Sequence, residues 1–227
     1  MITKNFQTRE SCAETLADDI ADALKSAIAQ EGRASLALSG GNSPKQVLPI
    51  LASASLPWSC IDVTLTDERC VPRSHIDSNA AMVRAHFLEQ GADAVSFHPL
   101  WEEDVDIDAG LKSATATLQA FPWPLDVVYL GMGDDGHFAS LFPSDDVMKF
   151  EGSNSPVVGG WAPSAPRQRI SLSLPIILKS RQIFLHVSGR GKRETFERAR
   201  QSPPDPRCPI SILTNDDTID LRVYFVD

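Results

Sequence analysis

Short β-prone runs alternate with stretches of helical period along most of this sequence. The runs are ASLALS (34–39), IDVTLT (61–66), LDVVYL (125–130), RISLSL (169–174), IFLHVS (183–188) and RVYFV (222–226), each rich in residues that favour strands. Between them, Leu16, Ile20, Leu24 and Ile28 recur every fourth residue, and Ile107, Leu111, Ala114 and Leu118 follow at steps of four, three and four. The SCAE tetrad (11–14) has the S-x-x-E form of a capping box, and SNAAMVRAHFLEQ (78–90) is closed by Gly91. This order predicts βαβ units and a mainly parallel sheet with helices on both faces, the α/β class. No repeat, low-complexity tract or long linker interrupts it, so residues 1–227 are expected to form a single domain, with GSNSPVVGGWAPSAP (152–166) as a loop.

At 227 residues and 42% hydrophobic, the chain is long enough to bury a full core. No apolar run approaches the roughly 20 residues of a membrane span, and the first 20 residues lack the short apolar block of a secretory signal. A soluble, cytoplasmic protein with no membrane partner is expected. Cys12, Cys60, Cys70 and Cys208 lack the CxxC spacing of a zinc or redox site and read as free thiols in a reducing compartment. A formal net charge of −9 repels polyanions, which argues against a nucleic-acid partner unless basic residues gather locally. Nothing in the pattern demands an oligomer, and a monomer is compatible with it.

Ligands of open parallel sheets bind outside the carboxyl ends of the strands, so the residues just after each run matter most. In SGGNSPKQ (39–46), Gly40 and Gly41 bare the backbone ahead of a helix start, with Ser43 as N-cap, Pro44 as first helical residue and Gln46 completing S-x-x-Q. Such a start offers N–H groups and a positive dipole end to one phosphate, although a tight turn with a capped helix has the same spelling. In SGRGKR (188–193), Gly189 and Gly191 bracket Arg190, and Lys192 opens a second helix at the loop mouth. A solvated basic face is the other reading, stronger for Arg190 and Arg193 than for Lys192. DERCVP (67–72) puts Asp67, Glu68 and Arg69 on the same rim: a guanidinium to clamp an anionic oxygen and carboxylates to accept sugar hydroxyls, or a simple ion pair within the loop. Arg169 adds a further cation.

The segment GMGDDGH (131–137) fits the GxGxxG spacing through Gly131, Gly133 and Gly136. A dinucleotide turn must receive a pyrophosphate, however, and Asp134 and Asp135 would repel it by several kcal/mol in a partly buried site. No acidic residue ends a strand about 20 residues on, where a ribose would be held. The turn instead offers a carboxylate and an imidazole two residues apart, Asp135 and His137. A carboxylate that fixes the tautomer makes the histidine an oriented base, and a histidine bonded only to backbone is the plainer alternative.

Taken in order, LALSGGNSP, TDERCVP followed by DSN (77–79), LGMGDDGHFASLFP, RISLSLP and VSGRGK resemble the 6-phosphogluconolactonase family, within the group that includes glucosamine-6-phosphate deaminases. The resemblance implies a Rossmann-like fold and hydrolysis of 6-phospho-D-glucono-1,5-lactone to 6-phosphogluconate in the oxidative pentose phosphate pathway, with a sugar phosphate as partner and no metal or organic cofactor. By matching position it implies His137 as catalytic base, Asp135 as its neighbour, Arg69 as a substrate-orienting cation, and Gly40, Gly41, Ser43, Arg169 and Lys192 as the phosphate hold. Phe138 stands where the family usually has threonine. The deaminase branch carries a glutamate in DGHIAFNEP, and here SLFP has no carboxylate, which favours the lactonase branch. An amino-sugar-phosphate deaminase or isomerase, and a non-catalytic sugar-phosphate sensor, are the alternatives.

Overall fold

A computed structural model describes residues 1–101, 105–144 and 155–227. In chain order the elements are β1 (Ile2–Phe6), α1 (Arg9–Glu31), β2 (Ala34–Leu38), α2 (Pro44–Ala52), β3 (Ile61–Leu65), β4 (Asp67–Arg69), α3 (Asn79–His86), β5 (Ser96–His98) and α4 (Ile107–Thr117). There follow β6 (Val127–Gly131), β7 (Val157–Trp161), β8 (Gln168–Leu172), α5 (Leu174–Leu178), β9 (Gln182–Ser188), α6 (Arg190–Arg200), α7 (Ile210–Thr214) and β10 (Leu221–Val226). Seven strands form a sheet in the order β1-β10-β9-β6-β2-β3-β5, with every pairing parallel. Every residue of β2 and β3 is buried, as strands covered on both faces must be.

The chain leaves β2 for β3 and β5 on one side of the sheet, and β6 for β9 and β10 on the other. The winding therefore reverses between β2 and β6, which opens a crevice at their carboxyl ends. Two bonds tie the crevice walls together: Ser39 N donates to Tyr129 O at 3.1 Å, and Gly131 N donates to Ser39 Oγ at 3.4 Å.

Helix α1 packs its apolar stripe, Leu16, Ile20 and Leu24, fully into the core, each side chain contributing about 1.5–3 kcal/mol of burial. It starts earlier than the SCAE tetrad predicts. Thr8 is the N-cap, accepting from Ser11 N at 3.2 Å, and Gly32 ends the helix at φ 76°.

A second, three-stranded antiparallel sheet, β4-β8-β7, corrects three expectations. RISLSL does not join the parallel sheet, DER forms a strand of its own, and the expected loop at 152–166 contains β7; residues 152–154 lie outside the described residues. Strand β1 is a further addition, because an exposed edge strand lacks the apolar run that marks the others. Among the described residues, no helix is long and apolar enough to cross a membrane.

Candidate active site

The crevice between β2 and β6 is a cavity of about 360 Å³, walled by the turns after β2, β6 and β9 and by the rim strands β4 and β8. His137 faces into it from the turn after β6. Gly133 N donates to His137 O at 2.8 Å and Gly136 sits at φ 83°, closing the turn. A Cβ on Gly133 would lie 2.2 Å from the imidazole Cε1 and Nδ1, so the middle glycine of the GxGxxG spacing is bare because the ring occupies that space. Phe142 packs on the ring at 4.6 Å between centroids.

Asp135 Oδ1 meets His137 Nδ1 at 2.6 Å and also accepts from His137 N at 3.2 Å. This carboxylate stands behind the ring and does not line the cavity. Burial pushes its pKa up, but the hydrogen bonds and charge of His137 outweigh burial and hold it below the ordinary carboxylate value. With Nδ1 engaged, Nε2 is the nitrogen left to meet a ligand. Phe138, next in sequence, is 0% exposed and belongs to the core, so that position faces away from the cavity and a threonine hydroxyl there would too.

On the opposite wall, Gly40, Gly41 and Ser43 line the cavity at the start of α2. Gly40 is small for a steric reason: a Cβ there would stand 1.8 Å from Asn79 Oδ1. Gly41 adopts φ 103°. Ser43 occupies the N-cap position in αR geometry and makes no side-chain cap bond, so the expected capping box does not form and its hydroxyl remains open to a ligand. Lys192 also lines the cavity, from the first turn of α6, which begins at Arg190 and not at Lys192. Arg190 pairs with Glu194 at 3.0 Å, while Arg193 reaches Asp227 and lies over the Phe225 ring at 4.5 Å. Those two are surface ties.

Arg69 and Arg169 are direct cross-strand partners on β4 and β8, so their side chains share a face, and both line the cavity. Arg69 Nη1 donates to Asp77 O at 2.7 Å, and the buried Nε atoms of both arginines have no hydrogen-bond partner among the described residues. Arg169 is only 7% exposed; burial and then the neighbouring Arg69 pull its pKa below the ordinary value. Two adjacent guanidiniums without a carboxylate hydrogen bond among the described residues suit a bound anion.

Strand alternation separates the acidic pair of DER. Asp67 shares the cavity face with Arg69, whereas Glu68 points the other way and does not line the cavity. Glu68 accepts from Arg69 N, Asn79 N and Ala80 N, each at 2.7 Å, which corrects its expected place among the substrate-binding residues. Asp67 Oδ2 accepts from Ser140 Oγ at 2.6 Å, and Oδ1 faces Asn79 Nδ2 at 3.3 Å. Asn79 and Ser140 therefore belong to the site. Both sit inside conspicuous motifs, DSN and HFAS, where a polar residue with no evident local task was the available signal. His186 borders the cavity from β9, with Nδ1 3.2 Å from Tyr129 Oη; burial and the nearby Lys192 lower its pKa to about 4, so it is neutral.

Fold and cleft together define an open α/β protein whose switch-point cavity is lined by cationic side chains and an imidazole oriented by a carboxylate. Residues 7–221 match the model of the glucosamine-6-phosphate isomerases/6-phosphogluconolactonase family, and the chain belongs to that family. A 6-phosphogluconolactonase of Mesorhizobium japonicum is 42% identical over 208 residues, 90% of this chain and 87% of that protein. One from Pseudomonas aeruginosa is 39% identical over 202 residues, 87% and 84% of the two chains. The crystal structure of a 6-phosphogluconolactonase from Shewanella baltica superposes with a TM-score of 0.94 at 35% identity, covering 100% of this chain and 98% of that one.

Proposed function

We propose that this chain hydrolyses 6-phospho-D-glucono-1,5-lactone to 6-phospho-D-gluconate in the oxidative pentose phosphate pathway, acting as a soluble cytoplasmic enzyme with His137 as general base. The observation that carries the reading is the Asp135–His137 contact at 2.6 Å, which orients an imidazole that lines the same cavity as Arg69, Arg169 and Lys192. The activity named for its relatives fits the chemistry of these groups.

A lactone is a cyclic ester. His137 Nε2 takes a proton from water as the water oxygen attacks C1, and Asp135 stabilises the imidazolium that forms. Negative charge develops on the carbonyl oxygen, where Arg69 supplies a fixed positive partner. When the tetrahedral intermediate collapses, the bond from C1 to the ring oxygen breaks, and the imidazolium returns its proton to that oxygen. Lys192, Arg169, the Ser43 hydroxyl and the bare N–H groups of Gly40 and Gly41 hold the phosphate at the far end, which keeps C1 in register. Asp67 accepts a ring hydroxyl.

Hydrolysis of the lactone at controlled pH, corrected for spontaneous ring opening, tests this. Turnover well above the spontaneous rate, with no ammonia released from glucosamine 6-phosphate, is expected. Binding of the sugar phosphate without turnover would instead make the chain a sensor.

A further inference from the structure

We propose that Glu68 is a positioning residue for Arg69, locking the rim strand β4 to the start of α3 so that the guanidinium meets the reacting carbonyl in register. The proposal deepens the function proposed above and rests on Arg69 acting there.

Glu68 is 2% exposed and has no cationic side chain as an ion-pair partner among the described residues. Its charge is met by donors alone. Oε1 accepts from Arg69 N and Asn79 N at 2.7 Å, and Oε2 accepts from Ala80 N at 2.7 Å and Ser78 Oγ at 3.3 Å. Three of these donors belong to the first turn of α3 and its cap, where unpaired N–H groups and the helix dipole favour a negative charge. The fourth is the backbone of Arg69 itself. Burial, with a smaller push from the neighbouring Asp67, holds the carboxyl pKa above its ordinary value, although the backbone bonds to Ala80, Asn79 and Arg69 oppose that rise.

The same segment is gripped from the cavity side. Arg69 Nη1 donates to Asp77 O at 2.7 Å, just ahead of α3, and Asn79 Nδ2 donates to Asp67 O at 2.8 Å. Residues 67–69 and 77–80 thus form one cross-braced unit, with the carboxylate on its hidden face and the guanidinium on its open face. Only a carboxylate can accept on both oxygens. A glutamine would turn an N–H group toward one pair of donors and leave at least one backbone N–H unmet in a buried place. Such a break frees the strand that aims Arg69, although Glu68 never touches the cavity.

A double-mutant cycle tests this: the parent, Glu68→Gln, Arg69→Ala and the double variant, each with kcat and KM for lactone hydrolysis and a thermal midpoint. Glu68→Gln should lower kcat/KM about tenfold when Arg69 is present and less than about twofold when it is absent. Glu68→Asp, which keeps the charge but withdraws it by one methylene, is run beside it and should show the same dependence on Arg69, so the cycle stays readable if the amide does not fold. Equal losses in both backgrounds, or a lower midpoint with parent kinetics, would overturn the positioning role. Parent kinetics in Arg69→Ala alone would instead overturn the role of Arg69 on which the proposal stands.

Discussion

The turns after β2 and β6 lie side by side and both are rich in glycine, but Gly41 of the first and Gly133 of the second serve opposite ends. In the first, Gly40 makes way for Asn79 while Gly41 clears the wall: apart from its chain neighbours, no described residue has an atom within 4 Å of where a Cβ on Gly41 would stand, and Ser43 keeps its hydroxyl out of any cap bond. In the second, glycine makes room for one particular side chain, because the imidazole of His137 fills the space beside Gly133 and is pinned there by Asp135 and Phe142. An open backbone suits recognition of an anion whose oxygens can be met by many donors. A pinned ring suits proton transfer, where a shift of about 1 Å is costly. The two halves of the crevice should therefore fail differently when damaged.

Gly133→Ala attacks the second turn without removing any reactive group. Its methyl group would displace the ring, and kcat should fall by roughly 10²–10³-fold, approaching the effect of losing the base, while KM changes little. Steady-state kinetics on the folded variant checks it, and a loss confined to KM would erase the distinction between the turns. Lys192→Ala attacks the anion side. Loss of one charge-assisted contact of about 1.5–3 kcal/mol should raise KM roughly tenfold or more and leave kcat closer to the parent value. An unchanged KM would return Lys192 to the solvated surface with Arg190. Ser43→Ala is the smallest change. Because no cap bond is made, urea unfolding should show a stability change below about 0.5 kcal/mol, where a working N-cap would lose about 1 kcal/mol.

Much of this was legible because it is local. Each β-prone run became a strand, and the carboxylate beside His137 could be read two residues away. Three things could not be read this way. RISLSL spells a strand but not which sheet it joins; its antiparallel pairing with β4 and β7 is a long-range choice. Thr8 caps α1 in place of Ser11 because both precede the apolar stripe and only backbone geometry separates them. Ser140 reaches Asp67 across 73 positions. Glu68 is different: DER is too short and too charged to spell a strand, yet once it forms one, alternation alone turns Glu68 away from Asp67 and Arg69.

The most direct test of the central claim is the turnover of His137→Ala. Nε2 is assigned the proton transfer, so kcat for lactone hydrolysis should drop by roughly two to four orders of magnitude in a variant that unfolds at the parent temperature. A folded His137→Ala enzyme that opens the lactone at the parent rate would contradict it.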